Sequence, residues 1–268
     1  HTFDFLAAHE FYEFKKNNLS AQKSKFPFSG LYELNTGASL DDATSTQTDY
    51  TIDSYLSRLR YSYADKYNFD ASLRTDGSSR FHPDSRWGTF WSLGANWRVS
   101  QEDFMQTYEW LDNLSVRASY GEQGNDALLK SDRVTAEYYG WQSFYDLSRS
   151  NALNNGAVLS SLESKDLKWE KNANFNTGFD ISLFNRVNFT LEYYSRTTSD
   201  MLLAVPMAPS LGFDSYYDNI GNMTNRGIEF SLAVDVLRMD NFAWRFTAMG
   251  TTQRNRITKL VTETPILD

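Results

Sequence analysis

The 268-residue sequence has no cysteine. That excludes a disulfide framework, a thiolate metal site and a cysteine nucleophile. Its histidines, His1, His9 and His82, lie too far apart along the chain to suggest a multi-histidine metal site. Basic charge is also short. Lys and Arg number 26 against 34 Asp and Glu, a net charge of −8. A dedicated nucleic-acid binder would show a basic stripe instead, so nucleic acid is not an expected partner. No stretch of 18 apolar residues occurs, so no transmembrane helix is expected. No signal peptide is visible either, since the opening HTFDFLAAHEFYEF already reads as a strand. Both ends look like cuts through a longer protein. Helical periodicity is almost absent.

What is present is aromatic. Phe, Trp and Tyr make up 16% of the residues, yet the mean hydropathy is negative and Ser, Thr, Asn and Asp abound. Period-two alternation accounts for both facts. Tyr67, Phe69, Ala71, Leu73 and Thr75 share one face, against Asn68, Asp70, Ser72, Arg74 and Asp76. Trp91, Leu93, Ala95 and Trp97 oppose Ser92, Gly94, Asn96 and Arg98. The same pattern recurs at 113–121, 174–183, 187–194, 228–236 and 242–249, and less cleanly at 1–14 and 50–63. No charge falls on the apolar faces of the seven clean segments.

The connections between these strands are 15–49, 64–66, 77–86, 100–112, 122–172, 185–186, 199–224 and 238–241. Every second connection of an up-and-down sheet lies on the same side. One rim therefore gathers the short turns and the other the long loops. The segment 100–112 is expected to form a short helix, and 122–172 to hide an extra hairpin.

Two architectures share this alternation. A secreted, non-transporting β-rich binding module would bury the aromatics in a dry core. A transmembrane β-barrel would turn them to lipid and keep polar residues in the lumen. The rim asymmetry and the aromatics near strand ends favour the barrel. On that reading Phe69, Leu73, Trp91, Leu93, Phe179, Ile181, Leu191, Phe230 and Leu232 face lipid. Asp70, Arg74, Arg98, Arg117, Asp180, Glu192, Glu229, Asp235 and Arg245 face the lumen.

Longer motifs sharpen the choice. SLRTDGSSRFHPDSRWGTFWSLGANWRVSQEDFM (72–105), LSVRASYGEQGN (114–125), LKWEKNANFNTGFDISLFNRVNFTLEYYSRTTSDMLL (167–203) and NIGNMTNRGIEFSL (219–232) follow one another in this order. Together they resemble the barrel region of SusC/RagA-type TonB-dependent transporters of Bacteroidetes outer membranes. The resemblance covers nearly the whole chain. It implies an all-β fold, part of a large antiparallel barrel of about 22 strands, with roughly nine or more strands in this chain. Residues 1–268 would then be a partial barrel domain, with plug and N-terminal regions lying elsewhere. It also implies active import of an oligosaccharide or oligopeptide and no enzymatic step or cofactor. The implied partners are a SusD-like surface lipoprotein, the TonB-ExbB-ExbD energy-coupling complex, and membrane lipid with lipopolysaccharide.

Individual residues invite local readings. Asp76-Gly77 is expected to supply the chain reversal after its strand. Arg74 and Asp76 are placed to pair on the polar face. Gly88, Gly94, Gly121 and Gly178 leave room there for a plug or for close side chains. Gly227 suggests a bulge. Ser79, His82 and Asp84 are neighbours in sequence, which does not make a triad. GEQGN (121–125) is followed by no helix pattern and is no phosphate loop. Tyr138, Tyr139, Trp141, Tyr216 and Tyr217 lie in long loops, where they either stack on a sugar or peptide or pack the loops together. The run MLLAVPMAPSLGF, beginning at Met201, is costly to leave in water, so it is expected to pack on a neighbouring loop, the plug or the lid lipoprotein.

Overall fold

Alternating β-branched and aromatic residues favour pleated strands. The computed structural model, which describes residues 1–260 except 131, 133, 148, 149, 152 and 153, is built almost wholly of them. In chain order the strands are β1 (Thr2–Ser24), β2 (Ser39–Tyr63), β3 (Tyr67–Ser78), β4 (Trp87–Arg98) and β5 (Leu111–Asn125). Four short ones follow: β6 (Phe144–Asp146), β7 (Ser150–Asn151), β8 (Asn154–Asn155) and β9 (Val158–Ser161). Then come β10 (Glu170–Leu183), β11 (Val187–Ser199), β12 (Leu202–Pro206), β13 (Ser215–Asn219), β14 (Asn222–Met239) and β15 (Phe242–Lys259). Nine of them pair antiparallel in one sheet, in the order β1-β2-β3-β4-β5-β10-β11-β14-β15. The sheet is open. Among the described residues β1 and β15 do not pair with each other.

Registers place the two faces as the alternation predicts. Asp70 stands opposite Gly94, Arg117 opposite Gly178, and Glu192 opposite Glu229, all on one face. Phe69, Leu73, Leu93 and Phe230 lie on the other. Phe69 is 51% and Leu93 54% exposed. Among the described residues no layer covers this face, which rules against a dry core of aromatics. Rings collect at its two borders. Tyr67 stacks on Tyr63 and on Trp97 near the short turns (centroids 6.1 and 6.3 Å). Trp91 meets Tyr120 at 5.3 Å nearer the long loops. These are the positions of interfacial girdles.

The short turns are tight. Ala64 and Asp65, and Phe184 and Asn185, all have positive φ, between 50° and 56°. Lys66 N–H bonds Tyr63 C=O at 3.0 Å, and Arg186 N–H bonds Leu183 C=O at 3.0 Å. These are type I′ turns, whose twist matches that of the strands they join.

The long side departs from expectation in several places. Segment 15–49 is mostly strand. β1 and β2 run for 23 and 25 residues, paired from Thr2–Ser62 to Ser24–Ser39. A tilted strand crosses a bilayer in about 9–11 residues, so this hairpin stands well clear of the wall. Its outer half is polar on both faces and nearly all exposed, which erases the hydropathy signal of a strand. Segment 100–112 holds no α-helix, only a single 3-10 turn at Val99–Gln101. Segment 122–172 contains the expected hairpin, β6 with β9, and a smaller one, β7 with β8. Segment 199–224 contains a third, β12 with β13.

Two glycines depart from expectation. Gly77 lies inside β3, paired with Asp53 and Trp87, and its φ is not positive. The reversal comes later, at 79–86. A Cβ at Gly77 would sit 3.0 Å from the Trp87 ring, so the glycine makes room for that indole. Gly227 makes no bulge. The register of β14 slips at Asn222/Met223 and Asp235/Leu237 instead. Gly227 pairs directly with Tyr194, and a Cβ there would meet the Tyr194 hydroxyl at 2.5 Å and the Thr252 carbonyl oxygen at 2.2 Å.

The polar face and its long-loop rim as candidate functional site

Burying or half-burying a charge requires a partner, and the polar face supplies partners across strands. Asp70 accepts from Arg58 Nε at 2.8 Å and Arg60 Nε at 3.1 Å. Arg74 binds Asp76 at 2.6 Å, Glu10 at 3.1 Å and the Ser54 hydroxyl at 3.0 Å. Arg117 bridges Asp180 and, at 2.9 Å, Glu192, while Thr190 donates to Asp180 at 2.7 Å. Arg245 pairs with Asp235 at 2.6 Å. Seven of the nine residues expected on this face are thus tied into four islands. Arg98 and Glu229 share the face without joining one. Glu229 stands opposite Glu192, whose carboxylate Arg117 already holds. Glu10, Arg58 and Arg60 belong to the islands and escaped the sequence reading, because their strands alternate poorly.

Between the islands lie recesses. One of 690 Å³ is lined by Asp70, Ser72, Arg74, Asp76, Asn174 and Asn176 among others. A second, of 580 Å³, borders Asp4, Arg60, Asn96, Arg117 and Glu192. The first sets Arg74 among Asp70, Asp76, Glu122 and Asp126 and is acidic, whereas the second nearly balances Arg60 and Arg117 against Asp4, Asp70 and Glu192.

At the long-loop rim the loops fold onto this same face. Phe81, Phe90, Leu128, Leu167, Trp169 and Leu202 form the one buried apolar cluster among the described residues. Phe90 and Trp169 occupy the space a Cβ on Gly88 would need. Arg80 lies over the Tyr50 and Tyr138 rings, 4.5 and 4.7 Å from their centroids. Its guanidinium donates to the Asp126 carbonyl at 3.0 Å. The Asp126 carboxylate accepts from the Tyr50 and Ser78 hydroxyls, both at 2.7 Å. Ser-Arg-Phe of the 72–105 motif therefore anchors loops to wall. Ser79 accepts from Thr51 N–H, and His82 accepts from Asp84 N–H, so no serine–histidine contact forms.

The loop aromatics are engaged with the chain itself. Tyr138 caps Arg80. Tyr139 accepts from Asp49 N–H at 2.7 Å. Trp141 donates to Ser79 C=O at 3.3 Å. Tyr217 packs on the buried cluster, and burial, reinforced by Glu137 and Asp132, pushes its hydroxyl up to about 12. Tyr216 pairs with Val205 in the β12–β13 hairpin. Leu202 of the apolar run is buried in the cluster, so that residue packs within this chain.

The opposite rim holds one compact site. Glu102 accepts from the Tyr67 hydroxyl at 2.6 Å, Trp97 Nε1 at 3.0 Å and Lys66 Nζ at 3.2 Å. The Tyr67 bond first, then those of Trp97 and Lys66, holds its carboxyl below the usual range.

Residues 2–265 match the family model described as TonB dependent receptor-like, beta-barrel. The chain belongs to this family. It is 35% identical over 220 residues to TonB-dependent receptor P26 of Formosa agariphila, covering 81% of this chain and 22% of the relative. To TonB-dependent receptor SusC of Bacteroides thetaiotaomicron it is 33% identical, covering 83% of this chain and 22% of SusC. The solved RagAB peptide importer in its closed-closed state superposes with a TM-score of 0.87 at 30% identity, over 98% of this chain and 28% of that one. The outer membrane transporter YddB of Escherichia coli superposes at 0.55 with 10% identity, a likeness of fold alone. The chain spans about a fifth of the length of the curated relatives it matches. As part of a TonB-dependent receptor barrel it belongs to the bacterial outer membrane, where its uncovered apolar face has its solvent. In this family setting the four motifs carry architecture: turn, girdle, ion-pair island and loop anchor.

Proposed function

We propose that this chain is part of the wall of an importer that carries an oligosaccharide or oligopeptide nutrient across the outer membrane. The observation behind the reading is the polar face, with cross-strand ion pairs, amides and hydroxyls along nine strands. Such a surface lets a hydrated, polar solute pass without trapping it. Asp70, Arg74, Arg98, Arg117, Asp180, Glu192, Glu229, Asp235 and Arg245 are then lumen residues. The long-loop rim, stiffened by Arg80 and the buried cluster, is the capture side. The chain acts as a partial barrel domain, and the plug lies outside residues 1–268. Energy comes from a TonB-ExbB-ExbD complex, and a SusD-like lipoprotein covers the loops. No bond is made or broken, so the protein is not an enzyme. The uncovered apolar face counts against the secreted binding module.

The test is uptake by cells lacking the full-length protein. Growth on one class of oligosaccharide or oligopeptide as sole source should stop, and plasmid-borne protein should restore it. Restoration should require TonB and an energised inner membrane. Unchanged uptake of every glycan and peptide class tried would overturn the reading.

A further inference from the structure

The inner strand β11 carries a lumen-facing arginine that the wall leaves unpaired. Arg196 stands between Asn174 on β10 and Asn225 on β14, so both of its ladder neighbours are amides. Both neighbouring strands belong to this chain, so no further strand is due beside it. On the same face Arg74, Arg117 and Arg245 each hold a carboxylate. Among the described residues none pairs with Arg196, whose side chain makes one long hydrogen bond, 3.5 Å from Nη2 to Asn172 Oδ1. Glu170 shares the recess around it but is already occupied. Its oxygens accept from Asn125 Nδ2 at 3.1 Å, Asn172 Nδ2 at 3.3 Å and Leu202 N–H at 3.3 Å. Asn172 thus touches each charge with one end of its amide.

This recess measures 440 Å³ and lies at the long-loop end of the polar face, where β11 ends at Ser199. Its floor is fixed, since Asn172 and Thr198 are buried and Thr198 donates to Asn172 Oδ1 at 2.7 Å. Beside Arg196, Asn225 Oδ1 is buried and meets no donor. A buried acceptor left in that state costs free energy until a donor arrives. A guanidinium takes a carboxylate with two parallel bonds. A ligand that completes the site therefore brings a carboxylate with an N–H or O–H next to it. Peptide C-termini and sugar uronates both carry that combination, and the walls decide between them. Met201 and Met223 line the recess, and among the described residues no aromatic ring does. A pyranose ring presents flat C–H faces that suit an aromatic ring, whereas flexible thioethers mould to an apolar side chain. The recess meets the first one at Gln123 and Gly124, which leaves an extended ligand a path past Asn174 and Asn176.

We infer that this recess binds the C-terminal residue of an oligopeptide. Arg196 holds the carboxylate, Asn225 accepts the last amide N–H, and Met201 and Met223 take an apolar side chain. The inference rests on the import reading and narrows its substrate to peptides with a free carboxyl end.

The test titrates the full-length protein in nanodiscs with a pool of pentapeptides ending in leucine, the same pool as C-terminal amides, and a trimer of galacturonate. The free-acid pool should bind at least tenfold more tightly than the amide pool. Arg196→Gln should weaken the free-acid pool tenfold or more and leave the amide pool unchanged. A pool ending in aspartate should bind at least threefold more weakly than the leucine pool, and M201S/M223S should erase that preference. Equal affinity of wild type and R196Q for the free acids overturns the site, as does a wild type that binds no free-acid pool. Galacturonate binding as tightly as the leucine pool overturns the peptide assignment. If R196Q does not assemble, N225D, which gives Arg196 a carboxylate of its own, should weaken the free-acid pool tenfold, and no change there overturns the site. Import is read separately, as TonB-dependent growth on oligosaccharides and on oligopeptides. Growth on an oligosaccharide without binding of the peptide pool sinks this subsite and leaves import standing. Loss of growth dependence on both classes sinks import itself, whatever the titration shows.

Discussion

At the scale of single residues, this chain assigns its conspicuous motif positions to support. Glu102 joins two short turns through three donors. Because its folded-state carboxyl is depressed, its contribution to stability is present above the unfolded value and disappears as the pH falls through the folded one. Unfolding of Glu102→Gln and wild type should therefore differ at pH 7, and the difference should shrink once the pH drops below about 4. A gap that does not narrow as the pH falls below the unfolded value would contradict this account. Glycines offer a second contrast. Gly227→Ala pushes a methyl group into the Thr252 carbonyl, which is backbone and cannot swing aside. The expected loss is about 1–3 kcal/mol in denaturant titrations. Gly94→Ala meets nothing closer than 3.9 Å and should be nearly neutral. Both glycines look alike in the sequence. What separates them is the residue across the ladder, Tyr194 in one case and Asp70 in the other, which no local pattern reveals. The same holds for Gly77, whose ladder partner Trp87 lies beyond the reversal at 79–86.

At the scale of elements, the wall strands were legible because one face meets lipid and the other water, so each strand prints its two faces alternately. The outer half of the β1–β2 hairpin was illegible as strand because water bathes both faces. Residues such as Asn17, Asn18, Thr46 and Gln47 then carry no period. The buried cluster was equally hidden, since Phe81, Trp169 and Leu202 come from three separate connections. Its one clue was bulky apolar residues inside otherwise polar loops. Two expectations follow. Leu232→Arg, near the middle of the apolar band, should cost about 2–4 kcal/mol in lipid-vesicle unfolding, with the penalty fading toward either rim. A penalty that does not vary with depth would count against lipid on that face. Replacing 18–46 by a two-residue turn should leave barrel assembly intact, because the removed pairs, from Asn18–Thr46 outward, lie beyond the wall and the loop anchor. Loss of assembly, read from heat-dependent mobility, would show that the hairpin is part of the wall.

At the scale of the whole molecule, strand parity decides what the nine-stranded sheet can be. Connections alternate between rims, so β1 and β15 both run from the short-turn rim to the long-loop rim. Joining them would create a parallel pair, whereas bacterial barrels made from one chain use even counts with antiparallel neighbours throughout. Leaving them apart is no better in a bilayer. A strand crossing in about 10 residues presents on the order of ten unpaired N–H and C=O groups along an open edge. Each costs several kcal/mol in hydrocarbon. Two such edges outweigh the roughly 5–15 kcal/mol that a folded protein has in reserve. Further strands must therefore cover both edges wherever this sheet spans a membrane. Residues 1–268 refolded alone into lipid vesicles should give no heat-modifiable species, and added protease should cut the wall strands. The full-length protein, under the same conditions, should run as a compact barrel with its wall protected. A closed, protease-resistant barrel formed by residues 1–268 alone would show that β1 and β15 can pair after all, and the parity argument would fail.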